Sequence, residues 1–388
     1  MKRTVYAKNP LRNVIAAREV KLMDRIRRLV EIESPSDDKS AVDRCVDAVV
    51  EMASEAGGRV RRHRQRVFGD VLELRFGGAG GGAGKPAPVM LLGHLDTVWP
   101  MGTLSGMPFR VAKGRAWGPG VLDMKAGVAM ALTAVEALHE QDALQRPVTL
   151  LLNGDEEVGS TVSRAITERL ARESAAVFVL EPAQGIPGAY KTARKGVGGY
   201  TVRVTGVAAH AGVDFERGHS AINELAWQLE QVRGFMELDR GLTVNAGVIR
   251  GGTRTNVIAA EAEAEIDVRI AKAKDAARIE KRFRSLHVRD RGCVLHVEGG
   301  MNRPPMERSP GTVALFRRAA TLAAEMGFEL AEAATGGGSD GNFTAALGVP
   351  TLDGMGAVGE GAHASHESVL LKDLIPRTQL LAEMIRTT

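Results

Sequence analysis

Three apolar runs that end abruptly in histidine or acidic residues constrain the fold more than any other feature of the sequence. They span Val89–Asp96, Val148–Glu157 and Ala176–Glu181. Runs that are apolar at successive positions are typical of strands buried on both faces of a sheet. Helical patterns over Ala126–Glu140 and Thr161–Glu173 separate them. The sequence therefore predicts an α/β fold, a largely parallel sheet with helices on both faces, whose ligands bind beyond the carboxyl ends of the strands.

A different pattern begins near Gly198, where polar and apolar residues alternate as in antiparallel strands with one wet face. The alternating segments are Tyr200–Gly206, Leu242–Ile249 and Ala262–Ile270, and the helical patterns among and after them are His219–Met236, Lys274–Leu286, Gly311–Met326 and Leu374–Arg386. We therefore expect a discontinuous α/β domain over 1–195 and 308–388, with a small α+β domain inserted over 196–307.

Length and composition are those of an ordered protein with two domains. At about 150 residues per domain, 388 residues suggest two domains. The 44% of hydrophobic and 25% of charged residues exclude disorder of the whole chain. Much of the net charge of +4 comes from the run Arg59–Arg66. We interpret this run as a solvated edge strand whose charges discourage further pairing, and we expect no nucleic-acid partner.

Three other features bear on location and loops. Cys45 and Cys293 fit neither a disulfide framework nor a Cys-x-x-Cys site, which favours a reducing compartment. The apolar stretch Ala126–Val135 is too short to cross a bilayer, and residues 1–13 lack the apolar core of a signal peptide. These features predict a cytoplasmic protein without membrane association. The glycine-rich segment Gly77–Gly84 is expected to form a loop.

Polar residues at the strand ends have the composition of a metal site. On a strand His94 and Asp96 point the same way, so the carboxylate can accept one imidazole N–H and leave the other nitrogen for a metal. Glu156 and Glu157 are adjacent acids, and a cation favours the ionised form of both. With Glu181 at the next strand end, the set suits a divalent metal with N and O ligands. A glutamate left over could act as general base on water.

Each of these residues alone has a simpler interpretation. A His-x-Asp pair such as His94 and Asp96 is more often found on the surface. Asp123 stands just before a helix, where an N-cap is its commoner use. Only the set as a whole favours a metal.

Seven ordered blocks of the sequence carry a resemblance to a known family. They are Gly93–Val98, Gly118–Lys125, Gly154–Ser160, Glu181–Pro182, Ala209–Gly212, Gly336–Asp340 and Gly361–His363. In these blocks the chain resembles the zinc-dependent exopeptidases and deacylases, which include glutamate carboxypeptidase, acetylornithine deacetylase, succinyl-diaminopimelate desuccinylase, aminoacylase and several dipeptidases. The resemblance runs over nearly the whole chain, and within the family the blocks look closest to glutamate carboxypeptidase.

The resemblance implies two Zn²⁺ ions per subunit, for which Co²⁺ or Mn²⁺ could substitute. The ligands that it implies are His94 and Glu181 for one ion, Glu157 and His363 for the other, and Asp123 as the bridge. It also implies that Glu156 is the general base and that Asp96 orients His94.

Two finer expectations follow from the same resemblance. His363 and His366 both stand near the last block, and we choose His363 because the ligand in similar proteins precedes a glutamate, here Glu367, by four or five residues. The peptide bond after the bridging aspartate is cis in relatives, so we expect a cis bond between Asp123 and Met124.

The inserted domain resembles a lid through which two copies of the family's proteins form a homodimer. His210 and Asn256 would then reach the active site of the other copy, where His210 would stabilise the oxyanion of the tetrahedral intermediate.

The resemblance further implies a set of substrate contacts. Arg269 would grip the α-carboxylate of the substrate, a bidentate task, together with backbone N–H groups of Gly337 and Gly338. Arg303 would read an acidic substrate side chain. From sequence alone a cross-strand salt bridge is the simpler interpretation of Arg269.

The combined prediction is a dizinc hydrolase that cleaves a peptide or N-acyl amide bond next to a free carboxylate, as glutamate carboxypeptidase does. The substrate would be a small peptide or N-acyl amino acid. One alternative is an N-acyl amino acid deacylase or dipeptidase that uses the same site. The other is a catalytically inactive metal-binding dimer, against which the presence of both Glu156 and His210 speaks.

Overall fold

A computed structural model describes residues 10–77 and 86–388. Over these residues the α-helices are α1 Pro10–Ala16, α2 Glu19–Val30, α3 Lys39–Glu55, α4 Ala126–Glu140, α5 Arg164–Arg172, α6 Ala221–Arg233, α7 Ala276–Arg284, α8 Pro310–Glu325, α9 Gly341–Ala346 and α10 Leu371–Thr387. The strands are β1 Arg59–His63, β2 Val71–Phe76, β3 Val89–His94, β4 Arg110–Ala112, β5 Arg115–Trp117, β6 Val148–Asn153, β7 Ala176–Val179, β8 Tyr190–Arg194, β9 Gly196–Thr205, β10 Thr243–Gly251, β11 Glu261–Ile270, β12 Val294–Arg303, β13 Glu332–Thr335, β14 Thr351–Leu352, β15 Gly359–Glu360 and β16 Ser368–Leu370. The loop expected over Gly77–Gly84 lies, apart from Gly77, outside the described residues.

Six strands form the main sheet in the order β1-β2-β6-β3-β7-β14. The pairs from β6 to β14 are parallel, whereas β1 and β2 are antiparallel additions at one edge. The prediction of an α/β fold with a largely parallel sheet is therefore confirmed. Its three central parallel strands are the three apolar runs of the sequence.

Both faces of the main sheet are covered by helices, as predicted. Leu91 of β3 lies in one hydrophobic cluster with Val128 of α4. Its neighbours Met90 and Leu92 lie in another cluster with Leu170 of α5. Successive residues of a strand point to opposite faces, so a strand between two helical layers must be apolar at every position.

The basic run forms the outermost strand of this sheet. Arg61 is exposed on β1, while Arg62 donates to Asp70 at 2.6 Å and to Asp47 at 2.5 Å. Charged side chains on an edge strand oppose pairing with another chain.

The chain divides into two compact units. Of the described residues, the first unit comprises 10–77, 86–193, 308–335 and 339–388, and the second comprises 194–307 and 336–338. The second unit holds an antiparallel sheet in the order β10-β11-β9-β12. The core of this unit includes Leu225 of α6 and Phe283 of α7, and the Phe283 ring stacks on Tyr200 of β9 at 3.8 Å between centroids.

None of the helices over the described residues is both long and apolar enough to span a membrane.

Candidate metal centre

The main sheet brings three of the acid-bearing or histidine-bearing chain segments together at one edge. β3 ends at His94 and pairs in parallel with both β6 and β7. β6 is followed by a short turn that holds Glu156 and Glu157, and β7 is followed by Glu181. Because parallel neighbours end at the same edge of a sheet, side chains just beyond these strand ends become neighbours. The proximity of these side chains follows from the three apolar runs, because the runs form neighbouring strands.

Two further residues reach this edge from outside the main sheet. Asp123 lies in the segment that leads into α4, and its peptide bond to Met124 is cis, as expected. His363 lies in the loop between β15 and β16 and has a left-handed backbone, with φ of 61°. His366, the alternative ligand, is exposed and has its ring beside Gly361.

Asp123 stands between the two imidazoles. Its Oδ1 is 3.2 Å from His94 Nε2, and its Oδ2 is 3.3 Å from His363 Nε2. Each imidazole nitrogen also faces a second carboxylate: His94 Nε2 is 3.7 Å from Glu181 Oε1, and His363 Nε2 is 3.2 Å from Glu157 Oε1. The side chains therefore form two donor sets, His94 with Glu181 and His363 with Glu157, that share one aspartate.

Glu156 belongs to the same cluster. One donor atom each from His94, Glu156 and Glu181 lie within 4.8 Å of one another, and so do one each from His94, Asp123 and Glu157. The structure thus brings together all five residues for which the sequence predicts a metal role, and it places the predicted base beside them.

The electrostatics of the cluster favour a cation. Hydrogen bonds to Asp123 and Glu157 raise the pKa of His363 to about 10, against the opposing effect of burial. Burial opposes charge on His94, but hydrogen bonds to Asp123, Asp96 and Glu181 outweigh it and raise the pKa of His94 well above its ordinary value. Protons on the imidazoles thus supply the positive charge that the carboxylates require.

The carboxylates show the complementary response. Burial alone would raise the pKa of Asp123, but hydrogen bonds with His363 and His94 hold it well below its usual range. Burial raises the pKa of Glu157 in spite of its hydrogen bond with His363. Metal binding requires neutral imidazole and ionised carboxylate, so a divalent ion would replace these protons.

Asp96 lies beside His94, the histidine that it is expected to orient, and beside the two glutamates. His94 Nδ1 donates to the backbone carbonyl of Asp96 at 2.9 Å, while the Asp96 carboxylate stands 3.5 Å away. That carboxylate instead accepts from Ser36 Oγ at 2.7 Å and from the backbone N–H groups of Glu156 at 3.2 Å and Glu157 at 3.1 Å. Residue 96 therefore contacts the first histidine mainly through its main-chain carbonyl, and its side chain fixes the main chain of the two glutamates.

The sequence patterns assigned no role to Glu367, which marked only the spacing to His363. Its carboxylate is buried and accepts backbone N–H groups from the turn that carries Asp123. A glutamate that opens a strand of the apolar pattern Ser-Val-Leu-Leu was the available signal, because a buried acid needs donors around it.

The second unit holds the remaining predicted residues. His210 and Asn256 are exposed and lie on adjoining segments, since Ala211 N donates to the Asn256 carbonyl at 3.0 Å. The His210 ring is fixed locally, because its Nδ1 accepts from Gly212 N at 3.1 Å.

The predicted carboxylate-binding residues also come together in this unit. Arg269 Nε and Nη2 each donate to Asp267 at 2.9 Å, and Nη1 lies 3.4 Å from the Gly336 carbonyl. The salt bridge of Arg269 thus runs along its own strand, two residues back, and not across strands. A Cβ on Gly338 would stand 3.1 Å from Arg303 Cδ, so Arg303 packs directly beneath the glycine turn.

A family profile described as "Peptidase family M20/M25/M40" matches residues 90–387. The chain belongs to this peptidase family.

One curated relative is similar to this chain in sequence, and two solved structures are similar to it in fold. Carboxypeptidase G2 of Pseudomonas sp. (strain RS-16) is 28% identical over 365 residues, which cover 92% of this chain and 86% of that protein. An M20 family metallo-carboxypeptidase from Sulfolobus solfataricus has the same fold, with a TM-score of 0.76 at 14% identity over 94% of this chain and 98% of that one. A dinuclear metal-binding M20 peptidase from Bacillus subtilis superposes with a TM-score of 0.67 at 15% identity, over 96% and 98% of the two chains.

Membership of the M20 family makes the chain a metallopeptidase-type hydrolase of peptide or amide bonds. The cluster around Asp123 fits the metal dependence of that family, since its donors are imidazole nitrogens and carboxylate oxygens.

Proposed function

We propose that this M20 hydrolase is a dinuclear zinc exopeptidase of the carboxypeptidase type, which releases a C-terminal residue with a free carboxylate. The observation that carries the proposal is the position of Asp123 between two imidazole–carboxylate pairs, one oxygen towards each. One shared carboxylate between two such donor sets is the arrangement that holds two ions close together.

The ligands would divide between the ions as the contacts do. His94 and Glu181 would hold one ion, His363 and Glu157 the other, and Asp123 would bridge them. When bound, the pair of ions would acidify water and polarise the scissile carbonyl.

The protein's own residues supply the proton transfer and its geometry. Glu156, next to the ligand Glu157, would accept a proton from water and deliver it to the leaving amine. The Asp96 carboxylate accepts hydrogen bonds from Glu156 N at 3.2 Å and Glu157 N at 3.1 Å. One side chain therefore fixes the main chain of both the proposed base and its neighbouring ligand.

Substrate recognition would come from the second unit. We propose that Arg269, with Gly337 and Gly338, receives the C-terminal carboxylate of the substrate. Asp267 holds the Nε–Nη2 edge of the guanidinium. Among the described residues Nη1 makes one long contact, at 3.4 Å with the Gly336 carbonyl, so this outer nitrogen is the one that we expect to turn to an anion. Arg303 beneath the same turn would favour substrates with a second, acidic group.

We also propose that two copies form a homodimer in which His210 and Asn256 act on the partner's site. Support comes from their exposure on adjoining segments of the second unit. An exposed imidazole is suited to donate to a developing oxyanion.

The decisive experiment compares the parent chain with Glu156→Ala on a panel of N-acyl amino acids and dipeptides that end in Glu, Asp, Ala or aromatic residues. We expect turnover to fall by at least about 100-fold, since general base catalysis contributes roughly that much or more, while the zinc content of the purified protein stays equal to the parent's. Glu173→Ala is the matched control, because Glu173 is an exposed acid that pairs with Arg169 at 3.4 Å and precedes β7, at the end of that strand opposite Glu181. It should retain parental turnover.

The same panel tests the bond that is cleaved. Preference for peptides over N-acyl amino acids supports the carboxypeptidase, and the reverse preference would replace it by a deacylase. Turnover that survives Glu156→Ala would remove Glu156 from its assigned role.

A further inference from the structure

One buried carboxylate joins the segments that carry the candidate ligands from different parts of the chain. Glu367 is fully buried. Its four donors are Leu122 N at 2.8 Å and Asp123 N at 3.0 Å on Oε1, and Gly120 N at 2.9 Å and Trp99 Nε1 at 2.8 Å on Oε2. Each oxygen therefore accepts two hydrogen bonds, the full capacity of an ionised carboxylate.

Each donor is part of a segment that holds a candidate ligand. The three backbone N–H groups belong to the turn that presents Asp123. Trp99 lies five residues after His94, the last residue of β3. Glu367 itself closes the loop of His363 through a hydrogen bond from its own N–H to the Ala364 carbonyl at 2.9 Å. One carboxylate thus contacts or closes the segments of three ligands.

The pairing of β16 with β5 does not extend to Glu367 and the turn that carries Asp123. The ladder between β16 and β5 ends with the pair Ser368 and Trp117. Beyond it the chain turns through Gly118 and Gly120, which have φ of 155° and 69°. Within the part of the chain that the structure describes, the main-chain contact continues with a single long bond, from Gly118 N to the Glu367 carbonyl at 3.4 Å. The side chain of Glu367 therefore carries the connection between the His363 loop and the Asp123 turn.

We infer that Glu367 is a positioning residue that sets the separation of His363 and Asp123 and so determines the affinity of the ion that they share. This inference rests on the proposed dinuclear function, and Glu367 itself is not a ligand in it. Without its carboxylate the Asp123 turn and the His363 loop would each remain folded but would no longer be held in mutual register.

The variant Glu367→Gln tests this with little change of volume. Glutamine offers one acceptor oxygen in place of two, and its NH₂ group would face N–H donors that cannot accept. Changes in residues that orient metal ligands typically weaken metal affinity by about 10- to 100-fold. We expect a loss in that range for the ion that His363 and Asp123 share, with a smaller effect on the other ion.

The measurement is Zn²⁺ affinity of the full-length, metal-free chain, determined by competition with a chromophoric chelator, with the thermal midpoint recorded for every variant. Glu224→Gln is the matched control. Glu224 is also a buried glutamate that accepts two backbone N–H groups, Arg289 N at 3.0 Å and Asp290 N at 2.9 Å, but it lies in the second unit. A purely structural role for Glu367 predicts that both variants lose thermal stability and keep parental zinc affinity.

Each outcome of this experiment supports or contradicts the inference. Weaker zinc binding in Glu367→Gln but not in Glu224→Gln, with turnover restored by added Zn²⁺, supports the inference. Parental affinity in a folded Glu367→Gln overturns it. Should Glu367→Gln not fold, Trp99→Phe decides, because it removes a single donor from Oε2: a reduced zinc affinity supports the inference and an unchanged one overturns it. A parent chain that binds no zinc contradicts the proposed function instead.

Discussion

Gly127→Ala is the substitution for which the structure gives the clearest energetic prediction. Gly127 lies in the first turn of α4, where alanine would ordinarily stabilise a helix by up to about 1 kcal/mol. A Cβ at this position, however, would stand 2.3 Å from the Leu180 carbonyl oxygen. The obstacle is main chain and cannot be relieved by a side-chain rotation.

Neighbouring main chain on two sides prevents the Leu180 carbonyl from moving away from an added methyl group. Leu180 N is bonded to the Leu92 carbonyl at 2.9 Å, which fixes it to β3. On the other side Gly356 approaches the same oxygen, since a Cβ there would stand 2.2 Å from it. Inserting a methyl group into such a packed site costs about 1–3 kcal/mol. Because the obstacle is main chain, we expect a cost at the upper end of this range, about 3 kcal/mol, and after a gain of about 1 kcal/mol in helix propensity a net loss of about 2 kcal/mol in the free energy of unfolding.

Urea unfolding of the metal-free protein, followed by circular dichroism, measures this loss directly. Gly199→Ala serves as the control, because a Cβ at Gly199 meets no atom within 4 Å and its φ lies outside the left-handed region. The control should be neutral or slightly stabilising, by up to about 1 kcal/mol. Since Leu180 precedes Glu181, Gly127→Ala should also weaken zinc binding. Equal or greater stability of Gly127→Ala would refute the packing argument.

Two further predictions concern the site itself. Mixed subunits of His210→Ala and Glu156→Ala should recover about a quarter of parental activity, because random exchange gives half heterodimers with one complete site each; no recovery after verified exchange would exclude a role of His210 across the dimer. In the metal-free protein the His363 pKa is raised from 6.5 to about 10, so its ion pairs stabilise the fold fully below pH 6.5 and lose this effect as the pH rises towards 10. The stability difference between the parent and His363→Ala should therefore shrink between about pH 6 and 10, and a difference that grows with pH would contradict the assignment.

Sequence patterns predicted the bounds of the helices unevenly. The structure has α4 at Ala126–Glu140, the range that the sequence predicts, because this helix is apolar almost all round and no other structure would bury it. The helix predicted over His219–Met236 is shorter at both ends and spans Ala221–Arg233. Ser220 caps its first turn by accepting from Asn223 N at 3.3 Å, so the residues before it lie outside the helix.

The choice between two possible hydrogen-bond partners of one side chain was the hardest feature to predict. The imidazole of His94 could donate to the carboxylate or to the carbonyl of Asp96, and in the structure the carbonyl is nearer, at 2.9 Å against 3.5 Å. For Arg269 the sequence offered a cross-strand partner, yet Asp267 on the same strand takes the guanidinium. In both cases the choice between two possible acceptors depends on side-chain geometry, which a pattern of residue types does not contain.

The sequence by itself determined the parallel sheet and the residues at its carboxyl edge. Apolar runs of this kind are typical of buried parallel strands, and neighbouring parallel strands bring the residues that follow them, His94, Glu157 and Glu181, to one edge. Tertiary structure alone decided how Asp123 and His363 join them, because these residues stand on a turn and a loop without sheet pairing of their own. Glu367 makes that connection by offering one buried carboxylate to four N–H donors from two distant segments. Hydrogen bonds of this kind depend on positions in space, which the periodicity of a sequence does not specify.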